Sequence, residues 1–275
     1  MTNAVVHTRV KKVAAGSITD ACDTLATEDP LEIRLVHGPS HNRRQQNISV
    51  TMRTPGEDME LAAGFLFTEG VIRDQAAIQE IILSEDNNGS VATVHLKPSI
   101  VAQLGGTQRN FAATAACGVC GKTDIASIHT GVSVSNGTLC LSAGNLFGLP
   151  AILRNEQALF ASTGGLHAAA LFNSNMELLL LREDIGRHNA VDKLIGAALQ
   201  QPLTPLDQCV LLLSGRAGFE LIQKAAMAGI PVIAAIGAPS SMAVKMAVEW
   251  NITLLGFLKD QRFNIYSGAE RIDVI

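Results

Sequence analysis

Apolar and polar positions alternate in three short runs within the first hundred residues. Leu31, Ile33 and Leu35 are separated by Glu32 and Arg34, Ile48, Val50 and Met52 by Ser49 and Thr51, and Ala92, Val94 and Leu96 by Thr93 and His95. A period of two belongs to a strand with one buried face, so three half-buried strands are predicted. Between them, Leu61, Ala62, Phe65 and Leu66 recur at helical spacing within 58–68, and a second helix is predicted over 74–83. The N-terminal part therefore reads as mixed α and β with antiparallel pairing.

The rhythm changes after residue 161. Apolar runs of strand length (168–172, 178–181, 210–213, 232–236 and 253–257) alternate with helix-like stretches (187–199, 218–228 and 240–249). Strands that are apolar at consecutive positions are covered on both faces, which predicts a three-layer α/β/α sandwich, part hairpin and part βαβ. Between the two halves the chain turns small: Gln103-Leu104-Gly105-Gly106, then Ala112-Ala113-Thr114-Ala115-Ala116 leading into Cys117 and Cys120. Asn136-Gly137 between apolar positions predicts a tight hairpin. The expected division is a mixed α+β domain over 1–101, a flexible loop carrying the cysteines over 102–130, and an α/β domain over 131–275.

Of the 275 residues, 47% are hydrophobic and 17% charged, enough for one large core or two moderate ones. A net charge of -4 supplies no global positive field to collect nucleic acid or anionic lipid. No apolar run follows His7, Arg9, Lys11 and Lys12, so no secretory signal is read and a cytoplasmic protein is expected. The uncharged window 225–244 is interrupted by Gly229, Pro231, Gly237 and Pro239, and reads as a buried strand between two helices rather than a membrane span.

The candidate chemistry lies in the cysteines. There are five, at 22, 117, 120, 140 and 209, and only Cys117 and Cys120 are spaced as a working pair. A Cys-x-x-Cys serves as half of a zinc site, as a dithiol switch, or as a carrier whose thiolate holds a transferable sulfur as a persulfide. Structural zinc is disfavoured, because no second Cys-x-x-Cys completes the ligand set. Zinc deaminase chemistry is excluded: His167-Ala168-Ala169 lacks the glutamate, follows the cysteines, and Ala116 stands where a proline is required. A thioredoxin-type pair opens a helix after a strand, whereas Gly118 and Gly121 flank this one. The spacing alone leaves redox, metal and carrier readings open.

Six stretches narrow the choice: Glu28-Asp29-Pro30-Leu31-Glu32-Ile33, Glu60-Leu61-Ala62-Ala63-Gly64-Phe65-Leu66-Phe67-Thr68-Glu69-Gly70, Cys117-Gly118-Val119-Cys120-Gly121-Lys122, Thr163-Gly164-Gly165-Leu166-His167-Ala168-Ala169, Arg182-Glu183-Asp184-Ile185-Gly186-Arg187-His188-Asn189-Ala190-Val191-Asp192-Lys193, and Ser214-Gly215-Arg216-Ala217-Gly218-Phe219-Glu220. Together they resemble the FdhD family from near the N-terminus to the end. The resemblance implies a sulfurtransferase. It would accept sulfur from an L-cysteine desulfurase and pass it to the molybdenum bis(molybdopterin guanine dinucleotide) cofactor before that cofactor enters formate dehydrogenase. It implies Cys117 as the persulfide bearer, Cys120 as an assisting thiol, a cytidine-deaminase-like fold for the C-terminal domain, and is compatible with a homodimer.

The resemblance also places the guanine nucleotide end of the cofactor, for which GDP is a mimic, on Phe257, Leu258, Lys259, Asp260, Gln261 and Arg262. Lys259 and Arg262 suit phosphate, and Asp260 suits the paired donors of a guanine edge. Without the resemblance this segment is a solvated turn after a strand. Ser214-Gly215-Arg216-Ala217-Gly218 follows an apolar strand and opens a helix, a place for an anion or a plain tight turn. Glu183, Asp184, Arg187, His188, Asn189, Asp192 and Lys193 gather around a helix start, either as a salt-bridge network or as a cavity lining, and His167 reads as a core histidine. The rivals to a sulfur carrier are a non-catalytic cofactor chaperone with a redox-sensing Cys-x-x-Cys and a zinc-stabilised adaptor.

Overall fold

The computed structural model describes residues 3–86, 89–104, 111–112, 139–201, 203 and 205–274. Cys117, Cys120 and the hairpin predicted at Asn136-Gly137 lie outside the described residues, as does most of the 102–130 segment.

The chain opens with a hairpin, β1 (Val5–Ala14) and β2 (Ser17–Ala26), turned at Ala15-Gly16. Hardly any of its positions are buried, so it presents no apolar alternation to read. The next strands are β3 (Asp29–His37) and β4 (Arg44–Arg53), followed by helix α1 (Asp58–Thr68), β5 (Ile78–Asp86), β6 (Gly89–Leu96) and β7 (Phe111–Ala112). They form a five-stranded sheet in the order β5-β6-β3-β4-β7, antiparallel except at β6/β3 and β4/β7. Leu31, Ile33 and Leu35 of β3 meet Leu61, Ala62 and Leu66 of α1, and the alternations predicted in β3 and β6 lie on the face that α1 covers. In β4 a register shift at Ile48 turns the predicted face over, leaving Val50 and Met52 exposed and Ser49 buried.

The predicted helix over 74–83 is instead a single 3-10 turn at Gln75–Ala77 followed by β5. Asp74 accepts from the Ala77 backbone N–H at 3.1 Å and caps the start of the turn. A bulge between Ile78 and Glu80 shifts the register against β6, so Ile78 and Ile81 are both drawn toward the core at a spacing that imitates a helix.

Leu141–Ser142 (β8) pairs in parallel with β15 near the C-terminus (Ile272–Asp273). Helices α2 (Ala143–Leu146), α3 (Leu149–Glu156) and α4 (Ala158–Thr163) lead into β9 (His167–Phe172), β10 (Leu178–Asp184), α5 (Arg187–Gln200), β11 (Val210–Leu213), α6 (Phe219–Met227), β12 (Val232–Ala235), α7 (Ser241–Glu249), β13 (Thr253–Lys259) and β14 (Arg262–Ser267). The second sheet has the order β10-β9-β11-β12-β13-β14. β10, β11, β12 and β13 run one way, β9 and β14 the other.

Each core strand is apolar at consecutive positions because each of its faces is covered. Leu211 and Leu213 face a core with Leu194 of α5, Ile222 of α6 and Met246 of α7, whereas Val210 and Leu212 face one with Leu146, Leu149 and Leu153. The interrupted window 225–244 holds β12 between α6 and α7. Among the described residues no helix is long and apolar enough to cross a membrane.

The two sheets are joined through the crossing of α1 and α5. A Cβ at Gly64 would come within 1.9 Å of the Asp192 carbonyl oxygen, and one at Gly196 within 1.9 Å of the Glu60 carbonyl oxygen. Only glycine at both positions lets the helices approach this closely.

Candidate functional site at the carboxyl edge of the six-stranded sheet

Because β10 to β13 run in one direction, their carboxyl ends share one edge of the sheet, and the first turns of α5, α6 and α7 open there. Open α/β sheets take their ligands outside the carboxyl ends of the strands. At this edge neighbouring strand ends are fastened to each other through backbone: Ala168 N–H donates to Ser214 Oγ (2.8 Å), Gly237 N–H to the Gly215 carbonyl (2.9 Å), and Phe257 N–H to the Gly237 carbonyl (3.1 Å). The connection after β11 is also tied to that after β12, through Ala217 N–H to Ala238 O and Ser240 N–H to Ala217 O. A Cβ at Gly256 would meet Pro239 at 2.8 Å and Tyr266 at 2.9 Å, so glycine is needed where β13 passes beneath this layer.

The sequence-predicted segment 257–262 lies on this edge. Phe257 is exposed and holds a left-handed φ of 56°, within an irregularity of the β13/β14 register between Gly256 and Lys259. Lys259 pairs with Arg262 across a two-residue turn, and Lys259, Asp260, Gln261 and Arg262 are all exposed. Leu258 differs from its neighbours: its side chain is buried in the core with Leu255 and Ile272, which leaves only its backbone for contacts outside the core.

The polar residues around the start of α5 divide into two groups. Asp184 is fully buried and accepts from the N–H groups of Gly186 (2.8 Å) and Thr54 (3.1 Å) and from Asn189 Nδ2 (3.0 Å), while Lys193 Nζ lies 2.9 Å away. Lys193 also donates to the Thr54 carbonyl at 2.8 Å. Glu183 accepts the first N–H groups of α4, from Leu159 and Phe160. Asp192 accepts from Thr68 Oγ1 (2.7 Å) and pairs with Lys224 at 2.9 Å. Burial alone would lower the Lys224 ammonium, but Asp192 and Glu69 outweigh it and raise it. These groups hold α1, α5, α6 and the β4–α1 connection together and are unavailable to a ligand.

Arg187 and His188 behave otherwise. They stand in the first turn of α5, half-buried, near His167 at the start of β9 and Arg216 after β11. The His167 ring lies against Gly215, where a Cβ would sit 3.2 Å from Nδ1. Burial, followed by the charges of Arg187, His188 and Arg216, holds the His167 imidazole below its ordinary value, so this ring is neutral near pH 7. The sequence alone reads His167 as a core histidine and leaves Arg187 between a salt-bridge network and a cavity lining, since only the β9/β11 pairing brings them to Arg216.

Among the described residues no three His, Cys, Asp or Glu side chains converge as a metal site. Cys22 and Cys140 are exposed free thiols, and burial pushes the Cys209 thiol up, away from nucleophilic use.

A family model described as the FdhD/NarQ family matches residues 26–273, which leaves nearly all of the β1–β2 hairpin ahead of the match. The chain is 44% identical to the "Sulfur carrier protein FdhD" of Streptomyces coelicolor, over 96% of this chain and 94% of that protein. Its identity to the protein of the same name from Mycolicibacterium paratuberculosis is 46%, over 96% and 97%. The crystal structure of a putative formate dehydrogenase accessory protein from Desulfotalea psychrophila has the same fold, with a TM-score of 0.76 at 23% identity over 98% of this chain and all of that one.

Proposed function

The chain belongs to the FdhD/NarQ family, and from that premise we propose that it is a sulfurtransferase of the cytoplasm that serves formate dehydrogenase. What carries this reading is identity of more than 40% over nearly the whole chain with proteins named sulfur carriers, in a sequence that also holds a Cys-x-x-Cys. In this reading the Cys117 thiolate attacks the terminal sulfur of a persulfide on an L-cysteine desulfurase. The new bond is Cys117 Sγ–S, the donor S–S bond breaks, and the desulfurase cysteine leaves as thiolate. Delivery to molybdenum as a sulfido ligand needs two electrons. Attack of the Cys120 thiolate on Cys117 Sγ supplies them, forming a Cys117–Cys120 disulfide and expelling the terminal sulfur as hydrosulfide, a soft ligand for the metal. An external thiol then reduces the disulfide.

The molybdenum bis(molybdopterin guanine dinucleotide) cofactor is the acceptor substrate, with a guanine end on 257–262. Asp260 accepts the paired donors of the base, Lys259 and Arg262 take phosphate, Phe257 offers an exposed ring to stack, and Leu258 contributes backbone alone. That four of these side chains are exposed on the carboxyl edge, beside an exposed ring, supports the assignment. Intact-mass measurement under non-reducing conditions, after incubation with a desulfurase and L-cysteine, tests the carrier. Wild type and Cys120→Ala should gain about one labile sulfur atom and Cys117→Ala none. A wild-type protein that stays unloaded beside a loaded desulfurase would leave the cofactor-chaperone reading in its place.

A further inference from the structure

The described residues treat buried charge in two ways. Arg53 is matched by Asp58, Arg182 by Glu60, Lys193 by Asp184 and Lys224 by Asp192, each through at least one contact of 2.9 Å or less. The group on the carboxyl edge is not matched. Arg187 Nε is buried and has no hydrogen-bond partner among the described residues, and His188 Nε2 is buried with Glu220 Oε2 at 3.5 Å as its nearest acceptor. Arg216 is exposed beside them. Arg187 and His188 thus share one carboxylate, Glu220, because Asp184 is already neutralised by Lys193. The first N–H groups of α5 open onto the same place without a side-chain cap, since Gly186 occupies the cap position, while in the first turn of α6 the Glu220 N–H is met by its own carboxylate. A buried guanidinium Nε without a partner, beside an uncapped helix start, is costly unless an anion completes it.

We propose that Arg187, His188 and Arg216 form a seat for a phosphate ester, which with Lys259 and Arg262 holds the diphosphate of the nucleotide whose base lies on 257–262. β11 and β13 are two strand spacings apart, about 10 Å, so the seat and the base segment are within reach of one extended nucleotide. This assignment of the phosphate rests on the guanine reading above; the anion seat itself does not. Arg187 supplies a half-buried guanidinium with its Nε in the interior, and Arg216 an exposed one that can swing onto the ligand. Glu220 restrains His188 while the seat is empty and competes with the anion for it. Neutral His167 forms a wall that adds no further positive charge.

Calorimetric titration of the full chain with guanosine, GDP, ADP and inorganic diphosphate tests the seat, with the melting temperature of each variant measured alongside. Arg187→Gln and Arg216→Gln should each weaken GDP and diphosphate roughly tenfold, the loss of one charge-assisted contact, and leave guanosine unchanged. Glu220→Gln should tighten diphosphate, which a merely structural residue would not do. Because Arg216 is exposed, its variant keeps the test valid if Arg187→Gln folds poorly. Equal affinities of wild type and a folded Arg216→Gln, or no binding of diphosphate by wild type, would overturn the proposal. Diphosphate and ADP bound as well as GDP, all through Arg216, would uphold the seat while sinking the guanine reading.

Discussion

The crossing of α1 and α5 and the carboxyl edge of the six-stranded sheet are both rich in charge, and α5 runs through both. At the crossing every buried charge meets an opposite charge at hydrogen-bond distance, and Asp184 has its remaining lone pairs filled by N–H groups. At the edge, Arg187 and His188 hold buried nitrogens without such partners. A network closed on itself serves stability and specificity of packing, whereas one left open at a strand edge has to be completed from outside.

The sharpest way to break the comparison is to open the closed network. Lys193→Met strands the Asp184 carboxylate in the core and should cost about 3–5 kcal/mol in chemical denaturation. Adding Asp184→Leu should not restore it, because the N–H groups of Thr54 and Gly186 and the Asn189 amide then lose their acceptor. If Lys193→Met left stability unchanged, the closed network would not be what holds the crossing.

Gly196→Ala acts on the same region through volume. Its methyl would overlap the Glu60 carbonyl, and the helices must part, which should cost about 1–3 kcal/mol in the same measurement. A melting temperature equal to wild type would mean the crossing is looser than its backbone distances imply.

Smaller effects belong to the edge. Burial alone would lift the Glu220 carboxyl, but His188, the Glu220 backbone N–H and Arg187 outweigh it and hold it below the ordinary carboxylate value. A folded-state value below the unfolded one gives stability that is present above the unfolded value of about 4.3 and is lost as pH falls through the folded one. Glu220→Gln should therefore lower stability somewhat near pH 7, where that contribution is present, and flatten the loss of stability below about pH 4.3. Arg216→Gln should do least to the fold, within about 0.5 kcal/mol, while weakening diphosphate binding; a large loss of stability would move Arg216 into the closed network.

Much of this organisation could be read before any coordinates. Val210–Leu213 and Asp58–Thr68 were legible to the residue, because a fully buried strand is apolar at consecutive positions while a packed helix places its large apolar residues three and four apart. β5 was misread because a bulge gave an edge strand helical spacing. The β1–β2 hairpin left no signal, since it buries almost nothing. Lys259, Asp260 and Arg262 could be placed on a turn after the last long strand from local sequence. The meeting of His167, Arg187 and Arg216 could not, because sheet pairing that joins distant segments creates it.

The glycines at the helix crossing also bear on motion. With carbonyl oxygens filling the space a methyl would need, α1 cannot separate from α5 without exposing Asp192, Lys193 and the strands beneath. The two helices should therefore surrender their amide protons to solvent as one cooperative unit, although they come from opposite halves of the chain. The turn bearing Arg187 inherits that protection, which keeps the seat in place through excursions that open the exposed N-terminal hairpin.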